Sequence, residues 1–138
     1  MIEFYSENNF KLNNTAEVSN WISSQISQRG FEEGELVFIF CDDDYLHKLN
    51  VQFLDHDTLT DIITFDNSLG KLINGEIYIS TERVSENATE FDTDFTTELH
   101  RVLIHGILHL CGFKDKTTGE SKAMRNAENE ALNNRNFV

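Results

Sequence analysis

The chain carries two histidines, His105 and His109, followed at fixed distances by Gly112 and Asp115. A helix advances about 100° per residue, so side chains four positions apart lie about 40° from each other on one face. Two imidazoles in this arrangement can hold one metal ion without distorting the backbone. Gly112 can adopt the left-handed conformation that ends a helix, and the returning chain can then bring Asp115 to the same ion.

Two histidines and one carboxylate make a three-ligand site, whose fourth position is open for a water or hydroxide, as in catalytic zinc sites. The spacing is that of metzincin sites, with Asp115 in the place of the third histidine. A histidine pair alone is a weak indication, because two core histidines bonded to backbone carbonyls have the same spacing. The extension to Gly112 and Asp115 favours one bound Zn²⁺ and leaves nickel, iron, cobalt and manganese open.

The residue after the first histidine distinguishes between hydrolytic reactions. Zinc metallopeptidases have a glutamate there as general base, whereas this chain has Gly106. Cleavage of a phosphodiester bond by a metal-activated water, or by an RNA 2′-hydroxyl near the metal, depends less on that glutamate. The sequence identifies no general base. Asp61 and Glu98 are weak candidates, and each is equally compatible with a helix cap or a surface charge.

The composition limits the classes of function. With 138 residues, of which 39% are hydrophobic and 11% aromatic, the chain suits a single domain, 1–138, with one core. A formal net charge of −13 argues against binding of any nucleic acid and against an anionic membrane surface, but a divalent cation can dominate the potential of its own cleft. No DNA partner is expected. Cys41 and Cys111 indicate no disulfide framework, and no signal peptide or membrane span is visible. We therefore expect a cytoplasmic protein.

The elements that must position the site are predicted from hydrophobic periodicity and from capping residues. Strands are expected at 2–6, 36–40, 62–65 and 76–80; helices are expected between 14 and 30, from 42 to about 53, at 81–90, from 93 or 94 to about 110, and at 120–133. Asn14 and Glu17 resemble a capping box at the first helix. This order predicts an α/β or α+β fold with a small mixed four-stranded sheet and about five helices.

The fourth predicted helix is apolar nearly all round, which is typical of a buried helix. We therefore expect it at the centre of the fold, with His105 and His109 emerging into a cleft at its end. Cys111 lies about 240° and His100 about 140° from His105 around this helix. Cys111 is expected in the core and His100 between helices or at the surface. His47 and His56 lie in polar stretches, where solvation is expected.

At these residues the chain resembles a known family. The segment His105-Gly-Ile-Leu-His-Leu-Cys-Gly-Phe is similar to the His-Gly-x-Leu-His-Leu-x-Gly-Tyr signature of the YbeY family of bacterial metallo-endoribonucleases. Three further segments agree with the family in order and spacing: Leu49-Asn50, Thr60-Asp-Ile-Ile-Thr-Phe65 and Gly75-Glu-Ile-Tyr-Ile79. The resemblance therefore spans nearly the whole chain.

The resemblance implies a single-strand-specific endoribonuclease. It further implies a role in late maturation of the 16S rRNA 3′ end and in 70S ribosome quality control, with single-stranded RNA and the ribosome as partners. The family's zinc positions fall on His105, His109 and Asp115, although the third position is histidine in most members.

A second departure concerns RNA binding. The family has an arginine–glycine pair after an aromatic residue, ahead of the Thr-Asp strand, whereas Phe53 is followed here by Leu54 and Asp55. An arginine expected to contact RNA is therefore missing, and four basic residues are candidates to replace it: Lys71, Arg101, Lys114 and Lys116. The two lysines that flank Asp115 are either solvated or placed to attract a phosphate beside the metal.

Two alternatives from other classes stay open. The acidic composition and the missing arginine favour a ribosome-assembly binding factor with a mainly structural metal and little nuclease activity. A zincin-like metallopeptidase is the third possibility, and Gly106 argues against it. The sequence does not predict the oligomeric state.

Overall fold

The secondary-structure elements follow each other in the predicted order. The structure, a computed structural model, describes residues 1–56 and 59–138. The elements within these ranges are β1 (Ile2–Ser6), α1 (Thr15–Gln28), β2 (Glu32–Cys41), α2 (Asp43–Leu54), β3 (Ile62–Asp66), β4 (Leu72–Ser80), α3 (Thr81–Glu90), α4 (Phe95–Leu110) and α5 (Thr118–Asn133). The predicted α+β class, with a small mixed sheet and five helices in these ranges, is confirmed.

The sheet has the strand order β1-β2-β4-β3, in which β2 is parallel to β1 and β4, and β3 is antiparallel to β4. Both β2 and β4 begin earlier than predicted. Glu32 pairs with Leu72 and Glu33 with Ile73 before the register shifts towards Leu36. On β2 the first paired residues are glutamates, so hydrophobicity gives no signal that this strand begins at Glu32, and only the pairing with β4 defines its start.

Side-chain caps begin several of the helices. Asp42 caps α2 and Asp94 caps α4, where helix starts were expected at 42 and at 93 or 94. Thr117 and Glu120 form a complete capping box, so α5 begins two residues before the predicted start. The capping box predicted at Asn14 is wrong. Asn14 has a left-handed φ of 56°, and its side chain makes no capping hydrogen bond.

Helix α4 packs against the sheet and is buried along most of its length, as predicted. Gly106 lies at the closest approach, where an added Cβ would be 3.0 Å from Cγ2 of Ile77 and 3.1 Å from Cδ1 of Ile62. The side chains of His105 and His109 are 21% and 30% exposed. The helix therefore directs its small residue at the sheet and its imidazoles towards a cleft. Of the helices in the described ranges, none is long and apolar enough to cross a membrane.

Candidate metal centre

The side chains of His105, His109 and Asp115 meet at one point. The two Nε2 atoms are 3.0 Å apart, and Oδ2 of Asp115 lies 3.4 Å from each of them. In a tetrahedral zinc site with Zn–N bonds of about 2.0–2.1 Å, neighbouring ligand atoms are separated by about 3.3 Å. Two imidazole nitrogens and a carboxylate oxygen at these separations fit one divalent transition metal, and this group could bind a metal ion.

The turn after α4 brings Asp115 back to the histidines. Gly112 has a left-handed φ of 96°, and its N–H donates to the carbonyl of His109 at 3.0 Å. The N–H of Phe113 donates to the carbonyl of Leu108 at 3.0 Å, which completes a Schellman motif. The same turn orients an imidazole, because Nδ1 of His109 lies 3.0 Å from the carbonyl oxygen of Phe113. Donation by Nδ1–H leaves the Nε2 lone pair directed at the donor cluster.

Glu128 on α5 orients the other imidazole, and sequence reasoning missed it. Its Oε2 lies 2.6 Å from Nδ1 of His105, and its Oε1 accepts from Nη1 of Arg101 at 2.9 Å. A carboxylate behind a metal-binding histidine fixes the tautomer and the ring orientation. The available signal was a glutamate among the apolar residues of one helix face, which are Met124, Ala127 and Ala131.

The charges of His105 and Glu128 stabilise each other. Burial alone would raise the pKa of Glu128, but hydrogen bonds from His105 and Arg101 outweigh it and lower that pKa. Burial alone would lower the pKa of His105, but the Glu128 carboxylate, with Asp115 and Asp61, outweighs it and raises that pKa. The carboxylates around His105 therefore create a negative potential, which favours positive charge at this position, whether from a proton or from a cation bound in its place.

Two adjoining cavities flank the donor cluster, and Asp61, His105 and Asp115 line both. The first has a volume of about 440 Å³ and extends to Phe91, Glu98, Arg101 and Arg125. The second has a volume of about 480 Å³ and extends past His109 to Leu54, Asp66 and Lys116. The donor cluster thus lies in a cleft with room for a substrate on either side.

The two candidate bases, Asp61 and Glu98, both lie in this cleft. Burial raises the pKa of Asp61 although the nearby His105 opposes the shift, and Nδ2 of Asn87 donates to Oδ2 of Asp61 at 3.4 Å. Glu98 is 5% exposed, and burial also raises its pKa. Glu98 is therefore neither a surface charge nor the N-cap of α4, which is Asp94. A catalytic role for either carboxyl group stays a prediction.

The candidate RNA contacts lie in different surroundings. Lys116 lines the second cavity, and Lys114 is exposed on the same loop. Arg101 is held by Glu128 and by Oδ1 of Asn129 at 2.8 Å. The Nζ atom of Lys71 lies 4.5 Å from the centre of the Phe31 ring, and Lys71 lines neither cavity.

An apolar residue, Leu54, occupies the position in this cleft where the resemblance predicts an arginine. Leu54 at the end of α2 lines the second cavity and is 43% exposed. The Leu54 side chain cannot donate a hydrogen bond to a phosphate. Of the four basic candidates, Lys116 is the one that lines the second cavity and could bind a phosphate there.

The remaining histidines and Cys111 lie apart from the donor cluster. His100 is buried between helices, where its ring centroid is 5.6 Å from that of Trp21, and its Nδ1 accepts from Nη1 of Arg135 at 2.8 Å. His56 is exposed and His47 half-buried. Cys111, the C-cap of α4, is partly buried against the core and lines neither cavity.

A mixed sheet carries a buried helix, whose two histidines meet a carboxylate in a cleft and form a group that could bind a metal ion, as metal-dependent hydrolases do. The sequence model of the family described as Endoribonuclease YbeY matches residues 2–136. The chain belongs to this family, which places it among the hydrolases that act on RNA.

Relatives agree with this assignment, and a solved structure has a similar fold. Endoribonuclease YbeY of Christiangramia forsetii is 57% identical over 131 residues, which cover 95% of this chain and 92% of the relative. Endoribonuclease YbeY of Flavobacterium johnsoniae is 50% identical over 132 residues, which cover 96% and 95%. A solution structure of a Thermotoga maritima protein has a TM-score of 0.68 at 29% identity and covers 96% of this chain and 87% of that one.

Proposed function

We propose that residues 1–138 form one domain, a cytoplasmic, zinc-dependent endoribonuclease specific for single-stranded RNA. His105, His109 and Asp115 hold the ion, and the enzyme acts with the ribosome in late 16S rRNA 3′ maturation and in 70S quality control. One observation carries the proposal: in a chain of an endoribonuclease family, three donor atoms meet at 3.0–3.4 Å inside a cleft.

The residues of the chain have separate tasks in this reaction. When bound, a divalent ion supplies a Lewis acid that lowers the pKa of water and stabilises charge on a phosphate. Glu128 and the Phe113 carbonyl hold the two imidazoles with Nε2 towards the ion. Asp61 lines both cavities, and its raised pKa suits it to exchange a proton with the attacking or leaving oxygen.

The size of the cleft supports single-strand specificity. Each cavity has a volume of about 440–480 Å³, which accommodates one unstacked nucleotide. Sequence-selective proteins also reach RNA bases in unpaired segments, because the A-form major groove is closed to side chains. Lys116 in the second cavity, with Lys114 beside it, supplies positive charge for the backbone in an otherwise acidic chain.

The ribosome-assembly factor is the second candidate. Leu54 in the second cavity, in place of an arginine, and the net charge of −13 favour it. The metallopeptidase is disfavoured further by the fold. The Cβ of any larger residue at position 106 would lie 3.0–3.2 Å from Ile77 and Ile62 on the sheet, so the packing leaves little room there for the peptidase glutamate.

The test incubates purified protein with labelled single-stranded RNA, duplex RNA and casein, with and without chelator. We expect the protein to cleave single-stranded RNA but neither duplex RNA nor casein. This cleavage should be lost on chelation and in His109→Ala, and added zinc should restore it in the chelated wild type. His56→Ala removes an exposed histidine outside the cleft and is the matched control. RNA cleavage that survives both chelation and His109→Ala would overturn the metal mechanism.

A precursor RNA that contains the 16S 3′ end tests the finer assignment, with cleavage expected at one position near the mature end. Thermal melting tests the binding-factor alternative. A mainly structural metal predicts a large loss of stability on chelation together with slight cleavage of any RNA.

A further inference from the structure

The first cavity contains a carboxylate that the proposed metal mechanism does not use. Glu98 is 5% exposed and lines this cavity, and its side chain has no hydrogen bond or ion pair within residues 1–56 and 59–138. A buried carboxylate without donors is costly, so the side chain is suited to accept hydrogen bonds from a molecule that enters. Because His105 and Asp115 line the same cavity, that molecule lies next to the metal centre.

The charge of the cavity restricts what enters. Asp61, Glu98 and Glu128 line it together with Arg101 and Arg125. Glu128 is paired with Arg101 and His105, whereas Glu98 has no such partner in the described ranges, so the part of the cavity at Glu98 favours a neutral group with N–H donors. An RNA base meets this requirement, since its ring is uncharged and its Watson–Crick edge carries donors. A volume of about 440 Å³ also accommodates one base.

Two further residues of the lining suit a base. The ring of Phe91 is 56% exposed and lines the cavity, which gives a flat surface for stacking. The guanidinium of Arg125 lines it too; its side chain is 52% exposed, and Nη1 lies 3.6 Å from Glu128. It has N–H groups available for a carbonyl oxygen of the base.

We propose that this cavity binds the base beside the cleaved bond and selects guanine. Guanine is the RNA base that presents two adjacent donors, N1–H and N2–H, to a single carboxylate, and its O6 then faces Arg125. Adenine and cytosine each present one amino donor beside an acceptor, and uracil presents one N–H between two carbonyls. The inference rests on the proposed RNA substrate and adds a base preference to it.

The experiment compares single-stranded oligouridylates that carry one guanosine, inosine, adenosine or cytidine. Inosine lacks only the N2 amino group, so we expect kcat/KM for the guanosine strand to exceed that for inosine by about tenfold, the effect of one hydrogen bond to a charged group. In Glu98→Gln, kcat/KM for the guanosine strand should no longer exceed that for the inosine strand. The kcat/KM for the adenosine strand should rise relative to that for the guanosine strand, because an amide presents one acceptor and one donor. Glu90→Gln, at an exposed glutamate of α3, is the matched control.

A binding readout separates the base pocket from catalysis. Anisotropy with 2′-O-methyl strands, which resist cleavage, should show the same preference for guanosine over inosine. Phe91→Ala should weaken the binding of all strands about tenfold, because stacking is lost, and should leave the ratio of guanosine to inosine affinity unchanged. This exposed position tests the pocket even where Glu98→Gln lowers the melting temperature.

The two proposals fail in different ways. Cleavage of single-stranded RNA with equal kcat/KM and equal binding for guanosine and inosine overturns the guanine pocket and leaves the nuclease standing. Guanosine-selective binding that depends on Glu98, with no cleavage of any RNA, supports the pocket and overturns the nuclease.

Discussion

Nδ1 of His105 on α4 lies 2.6 Å from Oε2 of Glu128 on α5, and the other oxygen of Glu128 accepts from Arg101. The imidazole is held from behind by a buried carboxylate whose own position is fixed by an arginine of α4. The geometry of the candidate metal centre therefore depends on how the last helix packs against the buried one, and not only on the segment that carries the donors.

Replacement of Glu128 should weaken metal binding. We expect zinc affinity to fall about 10–100-fold in Glu128→Ala, because the His105 ring loses its orienting acceptor. Glu128→Gln keeps an acceptor oxygen and should lose less. Competition with a chelating dye measures both, and Glu130→Gln, exposed on the same helix, is the control. Zinc affinity in Glu128→Ala equal to that of the wild type would show that the carboxylate does not orient the ligand.

The lysines that flank Asp115 should bind the RNA backbone. For single strands, each phosphate contact adds roughly 0.7 to the slope of log affinity against log salt concentration. Lys114→Ala/Lys116→Ala should therefore lower the slope by about 1.4 and raise KM more than it lowers kcat. Lys11→Ala/Lys48→Ala removes the same charge from exposed positions and is the control. An unchanged slope and unchanged cleavage in the flanking double variant would contradict the phosphate role.

Even the smallest side chain at position 106 should destabilise the protein. In Gly106→Ala, the new Cβ would lie 3.0–3.2 Å from Ile77 and Ile62. Overpacking of this kind costs about 1–3 kcal/mol, and better helix propensity offsets about 1 kcal/mol of it. We expect the free energy of unfolding to fall by about 1 kcal/mol, within a range of about 0–2 kcal/mol, as measured by urea unfolding of the chelated protein. A variant more stable than the wild type would show that α4 can move away from the sheet.

His100 should make stability depend on pH. Burial and the Arg135 cation lower the pKa of this imidazole to about 4 against the opposing charge of Asp94, whereas the unfolded value is 6.5. The folded-state pKa is the lower one, so the unfolded chain takes up the proton first as the pH falls. The stabilisation is complete above about pH 6.5 and is lost progressively towards pH 4.

His100→Gln isolates this effect, because the amide oxygen can still accept from Arg135. Between pH 7 and about pH 5, the wild type should lose about 2 kcal/mol more stability than the variant. Urea unfolding at the two pH values measures this difference. Parallel losses in the two proteins would show that His100 does not titrate in this range.

Local patterns predicted much of the fold. The apolar run at 36–40, the caps Asp42 and Asp94, and the order of elements all describe interactions within a few residues of chain. The differences between the predicted and the observed elements have non-local or conformational causes. The early start of β2 at Glu32 depends on pairing with Leu72, and Asn14 adopts a left-handed backbone that a capping pattern does not reveal.

The sequence by itself determined the three candidate ligands, because His105, His109 and Asp115 lie on one helix and the turn that ends it, where spacing and a left-handed glycine set the geometry. Tertiary structure alone brought Glu128 behind His105 and placed Glu98 in a cavity that it shares with Asp61. These contacts join separate segments, and their distances depend on how α5 and β3 pack against α4. Spacing along the chain carries no information about such packing, so the surroundings of the metal centre could be read only from the fold.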